Sequence, residues 1–518
     1  MVRLSSILII VLGLVTAALH AAPPAKVALR GGRIIPIVGD EIPQGTILIE
    51  DGKITAIGAE VKIPYDAMVV DATSKVLMPG MIVPHTSGGL DRANENLPVT
   101  PFLDVYDALD PSSLFFEDAL RDGHLVLHVI QGNSCVIGGL SRLVHPIGRT
   151  TDEMTIRAAI ALKLSTSPKS GYERMTQMAT MREAFLELEY YLEDLAEERY
   201  EAKLKEDGKE LDVSPEEARK RGRELIRDEH LDDKHRNLVK LTDGRLDAWI
   251  YCGSAMDVAP AIQTAKENGF LERTVFVLGT DAYRAVDELK RVKRPVVLSA
   301  ELTHRERDPI TGELRETFAP TVIHNAGLSY ALLPDADSSL AERYLTYQAA
   351  RCVRHGIPRQ AALEAITLNP AQMLGVANRL GSLEVGKDGY VIVLSGDPLD
   401  FSSWVEMAFV KGVLAYERKN DVRLKELLGL EQMAADEAAA DKPQDEPKEK
   451  PDAQQEEGQQ NPEAGKAKKQ GKPDVENDES ADEKSADEEE REDSEQEDRP
   501  EKKQPKQEAG QDAVGAQR

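Results

Sequence analysis

Val76-Leu-Met-Pro-Gly-Met-Ile-Val-Pro-His-Thr-Ser87 is the stretch on which the fold turns. A short apolar run at 80–85 follows Pro79-Gly80 and ends on His85, Thr86 and Ser87. A brief apolar run bounded by Gly and Pro reads as a buried strand. Residues one apart on a strand point the same way, so His85 and Ser87 share one side of its end.

Similar runs recur outward from there, at 124–130, 141–147, 158–164, 247–252, 274–279, 295–300 and 328–334. Amphipathic helices are predicted at 172–200, 256–268, 340–355 and 358–367. Strands alternating with helices argue for parallel βα units, and eight strands are what a closed TIM-type (β/α)8 barrel needs. The run at 141–147 is the weakest member, because 131–140 is too short for a full helix.

The flanks have a different texture. Residues 26–75 are β-rich and broken by turns, with a hairpin signal at Asp51-Gly52. The same texture returns at 380–418, in Gly389-Tyr-Val-Ile-Val-Leu394 and in 407–416. Neither segment could bury a core alone, so the two ends of the folded body are expected to build one small β-sandwich. The barrel then takes 76–379, interrupted at 200–240 by a charge-rich helical insertion that is either a solvated face or a partner surface.

Beyond 430 the composition changes. Residues 431–518 carry about −15 of the formal −27, with almost no apolar run. Too little apolar surface to offset chain entropy predicts a disordered acidic tail. The rest is only mildly acidic, and no basic patch suggests nucleic acid. At the other end Met1-Val2-Arg3 precedes an apolar run to Leu19 and small residues through Ala22, the pattern of a signal peptide over 1–22. The expected location is therefore periplasmic or secreted. A membrane anchor is the rival reading, but the run is short for a bilayer span. Cys135, Cys252 and Cys352 are too few and too scattered for a disulfide framework and read as small buried hydrophobes.

The decisive stretch closely resembles the start of an amidohydrolase barrel, where the first strand follows Pro-Gly and ends in His-x-His. Asn94-Glu-Asn, Pro98-Val-Thr-Pro and Met181-Arg-Glu-Ala-Phe resemble segments of the exported, imidazolonepropionase-like branch. Ala361-Ala-Leu-Glu-Ala-Ile-Thr-Leu-Asn-Pro-Ala371 is similar to that family's last barrel helix, and Gly381–Asp388 to its re-entry into the sandwich.

The resemblance implies hydrolysis of non-peptide carbon–nitrogen bonds, in cyclic amides or related substrates, by zinc or another divalent metal. Such a metal lowers the pKa of bound water from about 15.7 toward 7. It also implies a ligand set, and here the pattern breaks. His85 matches the first histidine of the pair, but Ser87 replaces the second. Lys163 matches the strand-four lysine, and Asp335 (with Asp337 close by) matches the last-strand aspartate that is both ligand and proton shuttle. Tyr251 and Leu278 stand where histidines are expected on strands five and six. A stable zinc site needs at least three protein ligands.

Each survivor has a structural alternative. His85 can simply hydrogen-bond at a strand end, and Lys163 can be an ammonium paired with Asp335 or Asp337. His124, His128 and His145 read as satisfied structural histidines, while His304 and His324 carry little alone. Two functions stay open. One is a hydrolase working through His85, Lys163 and Asp335, with His128 as a possible substitute. The other is a non-catalytic barrel that binds a partner, either its own copy or an intact paralogue.

Overall fold

A computed structural model describes residues 26–429, apart from 212 and 336–342. The leader, the acidic tail and Asp337 lie outside the described residues.

The decisive stretch divides at Gly80. Val76–Pro79 is a strand of the flanking sheet, and Met81–Thr86 opens the barrel. A Cβ on Gly80 would stand 2.6 Å from Leu125 Cδ1, so only glycine lets the chain pass this close to the next strand.

The flanking sheet has eight strands drawn from both ends of the body. Its order is Val413–Glu417, Val405–Val410, Val391–Leu394, Val76–Pro79, Lys26–Ile34, Ile42–Glu50 and Lys53–Gly58, with Met68–Asp71 also along Lys26–Ile34. The sheet bends back on itself, so that Ile49 lies against Gly389 and Gly412. Leu29, Ile47, Ile54, Val391 and Phe409 fill the fold in a core of their own. This is the small sandwich expected from the two flanks.

The barrel is the second body of apolar packing. Met81–Thr86 runs parallel to His124–Val129, and Ala161–Ser165, Asp247–Cys252, Thr274–Leu278, Val296–Leu298 and Tyr330–Ala331 pair in parallel succession. Strands covered on both faces need not alternate in polarity, and every residue of His124–Val129, Ala161–Ser165 and Thr274–Leu278 is buried.

Two features differ from the sequence reading. The third strand is real but runs backwards. Ile137–Leu140 pairs antiparallel with Ala161–Ser165, and Arg142–Val144 antiparallel with His124–Val129. The reason is the short 131–136 connection, which can turn the chain round but cannot carry a crossover helix. Among the described residues, the barrel is also closed without a strand pair at its seam. Ile82 N donates to Ile366 O and Leu332 N to Ala365 O, so the chain entering the last helix bridges strands one and eight.

The charged insertion is a helical arm. Arg174–Glu206 forms one 33-residue helix, and Pro215–Arg223 packs back on it around Tyr200, Leu204 and Ala218. Gly222 is required there, since its Cβ would overlap Ala196 O at 1.7 Å.

Candidate functional site

The strand ends bring two of the three expected site residues into contact. His85 ends the first strand, half-buried, and Lys163 sits in the fully buried Ala161–Ser165 strand. Lys163 Nζ lies 2.7 Å from His85 Nε2 and 2.7 Å from Asn133 Oδ1. An ammonium has only donors. It therefore donates to both, and His85 is the neutral tautomer with its proton on Nδ1. Burial, the Lys163 charge and His128 hold His85 well below the usual histidine pKa. Burial also pulls the Lys163 ammonium down to about 8. The Tyr251 ring also lies near it, with the centroid 5.6 Å from Nζ.

His128 is accounted for by structure. Its Nδ1 is 2.7 Å from Pro84 O, which can only accept, so Nδ1 carries the proton. Nε2 then accepts from Ser141 Oγ at 2.7 Å, while Ser141 Oγ itself accepts from Ala161 N. The ring meets Trp249 edge to face at 4.4 Å. Burial pushes its pKa down to about 3. His128 thus ties strands one and two to the reversed strand. His124 is buried too, with Nε2 unpartnered among the described residues and a pKa pushed by burial to about 3. A cavity of about 80 Å³ lies between it and His85, bordered by Asp122 and Arg343.

The remaining expected positions stay apart from this pair. Asp335 follows the last strand, half-buried, and makes no hydrogen bond or ion pair with a described residue. The expected pairing of Lys163 with Asp335 is replaced by His85 and Asn133, because the buried ammonium takes the acceptors its own strand end supplies. Leu278 is a buried hydrocarbon. His304 contacts Arg284 and the Tyr283 ring, and His324 meets the Tyr330 ring. Asn133 was missed from sequence. The only signal for it is the polar turn Gln131-Gly-Asn-Ser134 directly after the second strand.

These donors were tested against the divalent cation the family implies. A nitrogen ligand must offer its lone pair, and the Nε2 pair of His85 is already directed at an ammonium. His128 Nε2 has its pair on Ser141, and His124 Nε2, across the small cavity from His85, is the one unpartnered nitrogen of the three among the described residues. Among the described residues, no three His, Cys, Asp or Glu side chains come together to hold a metal ion. As arranged, the described donors do not fit a resident metal.

Comparisons with known proteins bear on the class. The profile of the amidohydrolase family matches residues 257–415. Amidohydrolase tasK of Hapsidospora irregularis is 23% identical over 406 residues, covering 72% of this chain and 40% of its own. A 5'-deoxyadenosine deaminase of Methanococcoides burtonii is 28% identical over 144 residues, 26% of this chain and 33% of its own. The chain thus spans well under half the length of these curated relatives. The crystal structure of an amidohydrolase from Thermotoga maritima superposes with a TM-score of 0.63 at 25% identity, covering 76% of this chain and all of that one.

Fold and strand-end residues together define a (β/α)8 barrel with a flanking sandwich and a partly buried His85–Lys163 contact at the strand ends. The profile match over residues 257–415, the relatives and the superposition together support the amidohydrolase superfamily as the class of this chain. Members of that family are typically metal-dependent.

Proposed function

We propose that this chain is a degenerate amidohydrolase, in which the Lys163 ammonium has taken the place of the catalytic cation. Its ancestry is a hydrolase of non-peptide carbon–nitrogen bonds, of the imidazolonepropionase-like branch. Its present role is that of a binding or assembly barrel, acting with its own copy or an intact paralogue outside the inner membrane. One observation carries the reading, the Lys163 Nζ to His85 Nε2 contact of 2.7 Å. A metal at His85 would have to displace a positive charge already hydrogen-bonded there, and like charges exclude one another at such distances. The chain's hydroxide source would then be gone, because neutral-pH hydroxide depends on a bound cation.

The test is turnover. The purified chain, supplied with zinc, should hydrolyse no cyclic amide, deaminate no nucleoside and cleave no dipeptide above the rate without protein. Saturable hydrolysis of any of these, abolished by His85→Ala, would overturn the proposal.

A working hydrolase is supported by one observation. His85 and Lys163, matched to the family's pattern separately, do meet in space. On that reading Asp335→Asn abolishes turnover, whereas unchanged turnover in that variant would remove it.

A further inference from the structure

A cavity of about 470 Å³ opens where the Leu114–Asp122 and Leu345–Arg354 helices meet the 395–404 loop and the chain's last described strand and helix. That volume suits an organic ligand of ordinary size. The floor is aliphatic, with Ala350, Leu394, Leu399 and Val405. The rim is aromatic, with Tyr344, Tyr347, Phe401 and Trp404. Phe401 and Trp404 are 75% and 46% exposed, and Tyr347 meets Phe401 edge to face at 5.8 Å. Large exposed aromatics gathered round one opening differ from the scattered apolar residues of any surface.

The charges around the cavity are paired, with one exception. Arg121 bonds Asp421 at 2.7 Å, Arg423 bonds Asp118 at 3.0 Å and Arg343 bonds Asp122 at 3.2 Å. Asp400 lacks an arginine, but its Oδ1 accepts from Ser402 N and Oγ within its own turn. The Arg418 guanidinium lies over the Trp404 indole, 5.0 Å from the centroid, and makes no hydrogen bond or ion pair with a described residue. A guanidinium without a carboxylate partner among the described residues offers a planar, two-pronged donor matched to one. Its stacking on an indole holds that fork in place.

We infer that this cavity binds a planar aromatic carboxylate, with its ring among the rim aromatics and its anionic group on Arg418. The rings supply stacking and the aliphatic floor excludes water. Arg418 then discriminates for the anion. The site is separate from the His85–Lys163 pair, although Asp118, Asp122 and Arg343 line both this cavity and the small one against His85. It does not depend on the fate of the metal.

The chain's two tryptophans make the test direct. Trp249 is buried and Trp404 is on the rim. The full chain is titrated with 4-nitrobenzoate, whose nitro group quenches indole, and with neutral 4-nitroacetophenone of the same shape. Saturable quenching by the carboxylate is expected, weakened by about tenfold or more in Arg418→Gln, the loss of one charge-assisted pair. Phe401→Ser should weaken both ligands, and Arg418→Gln should leave the ketone unaffected. Circular dichroism checks that each variant is folded. Quenching that rises linearly without saturating, persists in Trp404→Phe, or is equally strong in Arg418→Gln would overturn the inference.

Discussion

Residues 257–415, which the family profile matches, and residues 76–256, which it does not, divide the barrel into unequal halves. The first holds the seam closure by Ala365 and Ile366, the last helices and the return into the sandwich. These are packing solutions, and they persist because any barrel of this shape needs them. The second holds four of the six positions where the divalent-cation chemistry of the family would sit, His85, Ser87, Lys163 and Tyr251, while Leu278 and Asp335 fall in the first. Scaffold and chemistry are separable, and a chain can keep the first after changing the second.

The sharpest way to break this contrast is to show that the unmatched half lacks a tightly packed core. Trp249 is fully buried, pairs in register with Lys163 and flanks His128. Trp249→Ala should cost about 3–5 kcal/mol, the range for large core truncations, measured by denaturant unfolding. A loss below about 1 kcal/mol would mean the site half is loosely packed and has drifted without constraint.

Lys163 gives the next largest effect, and its sign is specific. Its folded pKa of about 8 lies below the ordinary lysine value of 10.5. Between those values the unfolded chain binds the extra proton, so this group's contribution to stability rises with pH across that window. The increment is on the order of 3 kcal/mol at about 1.4 kcal/mol per unit. Lys163→Met should lack it, so wild type should gain stability relative to the variant from pH 8 to 10. At pH 7 the variant should be as stable as wild type or more so, because replacing a buried charge by a similar apolar volume is often neutral or favourable. A difference that stays constant with pH would place the lysine in water.

The matched half should respond through backbone geometry. Gly381 has φ +90°, and a Cβ there would stand 2.7 Å from Ala371 Cβ. Gly381→Ala should destabilise by about 1–3 kcal/mol, with no change in the pH profile that Lys163 sets. The smallest effect is expected at the tie between the body's two ends. Asp397 accepts from Arg359 at 2.8 Å twice and from Arg33 at 2.5 Å, and the three side chains are about one-third exposed. Asp397→Asn should cost about 1 kcal/mol, less in high salt. An effect as large as that of Trp249→Ala would mean that the two ends are held together mainly by charge.

Much of the fold was legible in the sequence because it is written in local patterns. The buried runs at 247–252 and 274–279 became Asp247–Cys252 and Thr274–Leu278, and the helix expected at 256–268 became Ala255–Glu267. The reversed third strand was not, since periodicity fixes a strand's existence and never its direction. The seam closure was invisible too, because it rests on two backbone amides far apart in sequence, Ile82 and Leu332. At the site, His85 and Lys163 could be named from their motifs. Their contact, and Asn133 as the second acceptor, could not, since nothing in the chain's order says which acceptor a buried ammonium will find.

The central claim is that an ammonium stands where the family holds a cation. Metal content of the full-length chain, purified with zinc present and measured by elemental analysis beside His85→Ala, tests it directly. The account predicts far less than one metal per chain in both proteins. One zinc per chain in the wild type, lost in His85→Ala, would contradict it.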